Sequence, residues 1–114
     1  MNLFTSGSIP WNLFNSFSLG NGKEKINFSI IKTQHGKIHS IGYIFEKTAY
    51  LSDCNYIYNK DIKKLKNLNL LIIDCLRLTK HPSHFNLDEV LHINELIKPK
   101  KTVLTNLSSE LDYK

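Results

Sequence analysis

The loop that begins at Asp74 concentrates the side chains of this chain that could do acid–base or phosphate chemistry. It holds the Asp74 carboxylate, the guanidinium of Arg77 and the imidazoles of His81 and His84. The apolar run at 70–73 precedes the loop and predicts a buried strand, and a helix start follows it. Because loops between a rigid strand and a rigid helix often carry functional side chains, we predict the functional site here.

The strands before this loop follow from apolar and polar residues that alternate with a period of two. Residues 26–30 predict a half-buried strand, and a loop is expected over Gln34–His39. Residues 41–45 and 48–51 flank Glu46-Lys47 and predict a β-hairpin.

The remaining elements are read from caps, breakers and helical spacing. Asn59 is predicted to cap a short helix through Lys66 that buries Ile62 and Leu65. Residues 68–74 predict a strand covered on both faces. A helix is predicted next, because Asn86-Leu87-Asp88-Glu89 is a capping box and Pro99 ends the helical pattern. The last predicted strand is Lys101–Thr105. The order β-ββ-α-β-α-β indicates a layered α/β fold.

Length and composition favour one small globular domain. The chain has 114 residues, of which 41% are hydrophobic and 22% charged. We expect a poorly patterned N-terminal arm over residues 1–25 and the domain over residues 26–114. No apolar run reaches the roughly 20 residues that a membrane helix needs, and Cys54 and Cys75 predict reduced thiols in a cytoplasmic protein.

The net charge of +5 comes almost wholly from lysine, because Arg77 is the only arginine. Such charge can attract nucleic acid, but no pattern of interleaved arginine and aromatic residues accompanies it. We therefore expect a solvated lysine surface rather than a nucleic-acid interface.

The candidate site residues all follow strands or lie between them. In layered α/β proteins such strand ends converge on one crevice. Histidine nitrogen and carboxylate oxygen are ligands of Zn²⁺ and Mn²⁺, and a carboxylate can bridge two metal ions. The candidates are His35, Asp53, Asp74, Arg77, His81, His84 and Asn106.

Each candidate also has a reading without function. His35 could be a surface loop residue, Asp53 a turn residue, and His84 a helix cap or an exposed ring. Arg77 could orient a phosphate or pair with a loop acid such as Asp74. Asp74 could accept a hydrogen bond from a metal-bound histidine or from loop amides.

Taken together, the segments resemble the C-terminal half of a metallo-β-lactamase-fold hydrolase. The resemblance runs from about residue 26 to residue 113 and is strongest to the cyclic-phosphate phosphodiesterases associated with carbon–phosphorus lyase pathways. It rests on five segments that occur in the family's order and spacing: His35-Gly36 with Ser40-Ile41-Gly42-Tyr43, Tyr50-Leu51-Ser52-Asp53, Leu71-Ile72-Ile73-Asp74-Cys75-Leu76-Arg77, His81-Pro82-Ser83-His84-Phe85 and Pro99–Thr105.

The resemblance implies a fold and roles for individual residues. It implies half of an αββα sandwich, with a mixed sheet flanked by helices. It implies that His35 is a ligand of a divalent metal, Zn²⁺ or Mn²⁺, and that Asp53 bridges two such ions. It also implies that His84 contacts the substrate phosphate or transfers a proton.

Two departures from the family pattern lower the expected metal affinity. The family's His-x-His-x-Asp-His motif has no counterpart upstream of His35, and Asn106 stands where the family has a ligating histidine. Two ligands from a family set of seven fall short of the roughly three protein ligands of a catalytic zinc site. We therefore expect this chain alone not to hold the metal tightly.

Three hypotheses for function follow. The first is a split or shortened metal-dependent phosphodiesterase, inactive alone, that pairs with a separate N-terminal half or with itself through the exposed apolar sheet face. The second is a non-catalytic remnant or interaction domain without metal. The third and weakest is an RNA-processing nuclease-like domain, since tRNA-processing nucleases share the parent fold.

Overall fold

The computed structural model of the protein describes residues 16–22 and 25–109. In this part of the chain, seven strands form one mixed sheet. The strands are β1 Ser16–Leu19, β2 Ile26–His35, β3 Ile38–Phe45, β4 Thr48–Leu51, β5 Tyr56–Ile57, β6 Leu70–Asp74 and β7 Lys101–Thr105. A 3₁₀ helix, Asn59–Leu65, follows β5, and the α-helix α1, Leu87–Ile97, connects β6 to β7.

The sheet order brings four strand ends to one edge. The order is β1-β2-β3-β4-β6-β7, and β5 pairs with β2. Neighbours from β1 to β4 are antiparallel, whereas β4, β6 and β7 are parallel. Strands β2, β4, β6 and β7 therefore run in the same direction and end at the same edge, here called the site edge. His35, Asp53, Asp74 and Asn106 end or follow these four strands.

One face of the sheet packs against the helices and forms the core. Its central row is Ile31, Gly42, Leu51, Ile73 and Leu104, which face one another across the ladder. A Cβ on Gly42 would lie 2.3 Å from Leu51 Cδ2, so only glycine lets the strands fit here. The helices contribute buried apolar residues to the same cluster, namely Leu65, Val90, Ile93 and Ile97.

The opposite face of the sheet is apolar and partly exposed. We call it the open face and define it by Phe28, Tyr43, Tyr50, Ile72 and Val103. The last four of these are neighbours across β3, β4, β6 and β7. Phe28 packs against Tyr43, with ring centroids 6.5 Å apart, while Tyr50 and Val103 stay 37% and 39% exposed.

Several local predictions are confirmed. The hairpin lies where expected, and Glu46 and Lys47 both have positive φ, as a tight two-residue turn requires. The capping box is present, because Asn86 accepts from Glu89 N at 2.9 Å and the Glu89 side chain accepts from Asn86 N at 2.9 Å. Strand β7 has the predicted bounds.

Other local predictions are wrong. The expected loop from Gln34 is mostly strand, because β2 continues to His35 and only Gly36 and Lys37 turn before β3. Asn59 is not a cap, since Tyr58 holds that position without a side-chain hydrogen bond and the helix is of the 3₁₀ type. The arm over residues 1–25 stays a prediction, because residues 1–15 and 23–24 lie outside the described residues; within it, Ser16–Leu19 forms β1 against β2.

Candidate functional site

Asp74 is the centre of a hydrogen-bonded corner at the site edge. Asp74 is 0% exposed, and both of its carboxylate oxygens accept hydrogen bonds. Oδ2 accepts from His84 Nδ1 at 2.6 Å and from the backbone N–H of Cys54 at 3.2 Å. Oδ1 accepts from Asn106 Nδ2 at 3.1 Å. A buried carboxylate is tolerated only with such partners, so this corner is fully built within the chain.

The hydrogen bond to Asp74 fixes the tautomer of His84. An ionised carboxylate can only accept, so Nδ1 of the ring carries the proton. Nε2 is then the lone-pair nitrogen of the neutral ring, and it has no hydrogen-bond partner among the described residues. The His84 side chain remains 15% exposed, so the ring lies at the surface while its partner is buried.

The loop between β6 and α1 folds back onto the neighbouring strand end to hold His84. Leu76 N donates to Phe85 O at 3.0 Å, and Phe85 N donates to Cys54 O at 3.0 Å. These bonds tie the residue after His84 to the end of β6 and to the segment after β4. The ring therefore approaches Asp74 because of contacts between segments that are far apart in sequence.

His35 lies beside His84 at the end of β2. Its Nδ1 donates to Ser83 O at 2.9 Å, and the two ring centroids are 4.9 Å apart. Because a carbonyl can only accept, Nε2 of His35 is again the lone-pair nitrogen. This arrangement, with Nδ1–H on a backbone carbonyl, is the one that orients histidine ligands in metal sites.

Gly36 allows the close approach between His35 and the loop. It has φ +62, and a Cβ there would lie 3.1 Å from Ser83 Cβ. Its N–H donates to Asn55 Oδ1 at 2.9 Å. The glycine therefore serves both the turn and the packing of the loop against β2.

His81, the other histidine of the predicted loop, lies next to His84. Its ring centroid lies 5.1 Å from that of His84, and its Nδ1 accepts from Ser83 N at 3.1 Å. Desolvation, and then the nearby Arg77 guanidinium, lower the pKa of His81.

Arg77 contacts the loop backbone. Nε donates to Thr79 O at 3.2 Å and one terminal nitrogen donates to Lys80 O at 2.8 Å. These bonds hold the loop that carries His81 and His84. Its predicted partner for an ion pair, Asp74, is instead bonded to Cys54, His84 and Asn106.

Asp53 differs from the other candidates in its surroundings. It follows β4, has φ +48 and is exposed. No hydrogen bond or ion pair to another described residue holds its carboxylate. It shares the site edge with His35 through the common direction of β2 and β4, but it is not part of the Asp74 corner.

The residues described do not by themselves fit a divalent metal. Over residues 16–22 and 25–109, no three His, Cys, Asp or Glu side chains come together as a metal site would need. Burial raises the pKa of the Cys54 thiol, and the Asp74 and Asp53 carboxylates raise it further. Burial also raises the pKa of Cys75, so neither thiol is poised as a thiolate ligand or nucleophile.

No helix in the described part of the chain is long and apolar enough to cross a membrane.

Comparisons with known proteins agree with this architecture. The model of the β-lactamase superfamily domain matches residues 8–105. An octanoyltransferase of Porphyromonas gingivalis is 33% identical over 79 residues, which are 68% of this chain and 16% of that protein. A diphosphatase of the PhnP family has a crystal structure with a TM-score of 0.76 and 32% identity, over 83% of this chain and 37% of its own.

Two further crystal structures share the fold at lower identity. The short form of human tRNase Z is 21% identical, with a TM-score of 0.66 over 83% of this chain and 41% of its own. The metallo-β-lactamase fold protein YhfI of Bacillus subtilis is 21% identical, with a TM-score of 0.64 over 80% of this chain and 39% of its own. The chain thus spans well under half the length of each of these relatives.

Proposed function

Because the chain belongs to the β-lactamase superfamily, we propose that it supplies one part of a phosphoester-hydrolysing site and requires a second αβ unit for activity. The observation that carries this proposal is the His84–Asp74 pair at 2.6 Å, with the His35 ring beside it at the same sheet edge. The fold and the PhnP-family diphosphatase at 32% identity support a phosphoester as the substrate class.

In this proposal His84 moves the proton. With Nδ1 bonded to Asp74, the Nε2 lone pair can take a proton from the water that attacks phosphorus. The Asp74 carboxylate holds the ring and stabilises the imidazolium that forms. The imidazolium returns the proton to solvent after the bond between phosphorus and the leaving oxygen has broken.

The family's divalent metal must be held with ligands from elsewhere. His35 and Asp53 remain the predicted ligands of this chain, and two protein ligands are fewer than the roughly three of a catalytic zinc site. We propose that a unit carrying the His-x-His-x-Asp-His motif supplies the others. When bound, the metal would supply charge stabilisation and a more acidic water.

The open face is the proposed docking surface for that unit. It is the apolar side of the sheet remote from α1, and Tyr50 and Val103 remain 37% and 39% exposed on it. An exposed apolar sheet face of this kind favours association. The occupant we propose is another sheet of the same architecture, which would complete the four-layer sandwich. Self-association of this chain is the competing outcome.

Hydrolysis of bis-p-nitrophenyl phosphate tests the proposal. The purified chain with Zn²⁺ or Mn²⁺ should not hydrolyse it above the buffer rate. Co-expression with the part of the PhnP-family diphosphatase that this chain does not cover should restore hydrolysis. In the complex, His84→Ala should lower kcat by about 100-fold or more, the scale of general acid–base catalysis.

Two control variants separate the site from the docking surface. His92→Ala removes an exposed histidine of α1 and should leave the rate unchanged. Tyr50→Lys combined with Val103→Lys should prevent the complex from forming, as seen by size-exclusion chromatography. The proposal is wrong if the isolated chain binds two equivalents of metal and cleaves the substrate, or if His84→Ala and His92→Ala are equally active in the complex.

A metal-free interaction domain is the second candidate, favoured by the amide at Asn106 and the incomplete ligand set. The coding DNA immediately upstream of Met1 discriminates the two. A reading frame that encodes His-x-His-x-Asp-His favours the split hydrolase, and one without that motif favours the interaction domain.

A further inference from the structure

Asn106 turns its amide nitrogen toward Asp74. Nδ2 lies 3.1 Å from Asp74 Oδ1 and 3.4 Å from His84 Nδ1. The assignment of nitrogen and oxygen in this amide is fixed by chemistry, because a carboxylate oxygen can only accept. An amide nitrogen is not a metal ligand, so the atom that Asn106 presents to Asp74 is a hydrogen-bond donor. The one atom of the side chain that could coordinate is the neutral Oδ1, which is a weaker ligand for zinc-like ions than imidazole.

The backbone at Asn106 favours this side chain. Its φ is +64, in the left-handed region that asparagine adopts more readily than most residues. The short side chain then reaches Asp74 from the end of β7, the strand next to β6. The contact is therefore set by the register of two parallel strands and by the turn that ends the second one.

The Asn106 contact fixes the orientation of the Asp74 carboxylate. Cys54 N and His84 Nδ1 both use Oδ2, so Asn106 is the one described partner of Oδ1. A carboxylate held at one oxygen alone could rotate and present either oxygen to His84. With Oδ1 held by Asn106, Oδ2 stays directed at the imidazole.

We propose that Asn106 is a positioning residue, which holds Asp74 and through it the Nδ1–H tautomer of His84, and that it does not ligate metal. The end of β7 thus contributes a hydrogen bond where the family pattern has a coordinating histidine. This inference rests on the proposed function only for the use that is made of His84. The hydrogen-bond arrangement itself is testable in the isolated chain.

Nitrogen-15 NMR of the labelled chain tests the arrangement. The side-chain amide proton of Asn106 that points at Asp74 should exchange about tenfold or more slowly than those of Asn67, because a hydrogen bond to a charged group protects it. Asn67 is a matched reference, since it is exposed and has a similar left-handed φ of +60. One equivalent of Zn²⁺ should leave the Asn106 amide signals in place.

Substitutions then test the effect on His84. In the wild type, the ring nitrogens of His84 should show a single Nδ1–H tautomer. Asn106→Leu, of similar size but without the donor, and Asn106→Ala should both give a mixture of tautomers or a faster-exchanging Nδ1 proton. Asn67→Ala should not change the His84 signals, and neither Asn106 variant should change the tautomer of His35, which Ser83 O fixes independently.

Three results would overturn the inference. The first is exchange of the Asn106 amide as fast as that of Asn67, which needs no variant to fold. The second is an unchanged His84 tautomer in both variants. The third is a Zn²⁺-induced shift of the Asn106 side-chain carbonyl carbon, which marks a ligand. Failure of the hydrolysis experiment with these signals as expected would instead count against the proposed function.

Discussion

The two sides of the site edge are built to different degrees. At the Asp74 corner, a fully buried carboxylate has hydrogen-bond donors from Cys54, His84 and Asn106. On the other side, the Asp53 carboxylate is exposed and has no partner among the described residues. His35 lies between the two, with Nδ1 on a loop carbonyl and Nε2 without a described partner.

The difference separates two kinds of chemistry. Acid–base chemistry needs an oriented imidazole, and this chain supplies both the ring and the carboxylate that orients it. Metal binding needs about three converging protein ligands, and the described residues do not bring three together. Within the described residues, the imidazole and its orienting carboxylate are therefore in place, whereas a set of three converging metal ligands is not.

The largest expected effect in this comparison is the loss of stability on Asp74→Asn. An asparagine of the same shape would put its NH₂ group in place of one carboxylate oxygen, which leaves at least one of the three donors without an acceptor. We expect the free energy of unfolding to fall by about 2–4 kcal/mol, the cost of unsatisfied buried polar groups. Urea unfolding followed by circular dichroism measures it.

Asp53→Asn is the matched control for this prediction. Its side chain is exposed, and asparagine tolerates the left-handed φ of +48. The free energy of unfolding should change by no more than about 0.5 kcal/mol. Equal losses in the two variants would show that the corner is not more tightly built than the Asp53 side.

A second, smaller effect is expected at Gly36, which follows His35 between the two sides of the site edge. Gly36→Ala adds strain at φ +62 and places a Cβ 3.1 Å from Ser83 Cβ. We expect a loss of about 1–3 kcal/mol in the free energy of unfolding, together with altered His35 ring signals as Ser83 O moves.

Gly22→Ala provides the reference for that variant. Its φ is +55, but a Cβ there would meet nothing within 4 Å, so backbone strain is its whole effect. The excess loss of Gly36→Ala over Gly22→Ala measures the packing of the loop on β2. If the two variants lose the same amount and the His35 signals stay unchanged, the loop does not depend on this contact.

The local elements of the fold could be predicted because their signals are local. The hairpin turn at Glu46-Lys47 and the capping box of α1 each depend on residues within a few positions of one another. The continuation of β2 to His35 could not be read in this way. Thr33 is fully buried although it is polar, and Gln34 pairs with Tyr56 of the distant β5.

The candidate site shows the same limit. Because both residues follow predicted strands, the sequence predicted that Asp74 and Asn106 share an edge of the sheet. In the structure, β6 and β7 are parallel neighbours. The hydrogen bond from His84 to Asp74 could not be predicted, because it requires the Phe85 contact to Cys54 O that folds the loop back. The roles of His35 and Asp53 as metal ligands remain predictions.

The smallest expected effect concerns His81, which lies beside the Asp74 corner but is not hydrogen-bonded to it. Desolvation and the Arg77 guanidinium lower its pKa below the ordinary value of 6.5. The unfolded chain therefore binds this proton more readily than the folded chain, so His81 makes folding less favourable as the pH falls through about 6.5.

In an NMR titration, Arg77→Ala should raise the His81 midpoint toward 6.5 because a nearby positive charge is lost. Arg77→Lys keeps the charge but not the fork that bonds Thr79 O and Lys80 O, so its midpoint should stay close to that of the wild type. An equal rise in both variants would mean that the shape of the loop, and not the charge at Arg77, sets the protonation of His81.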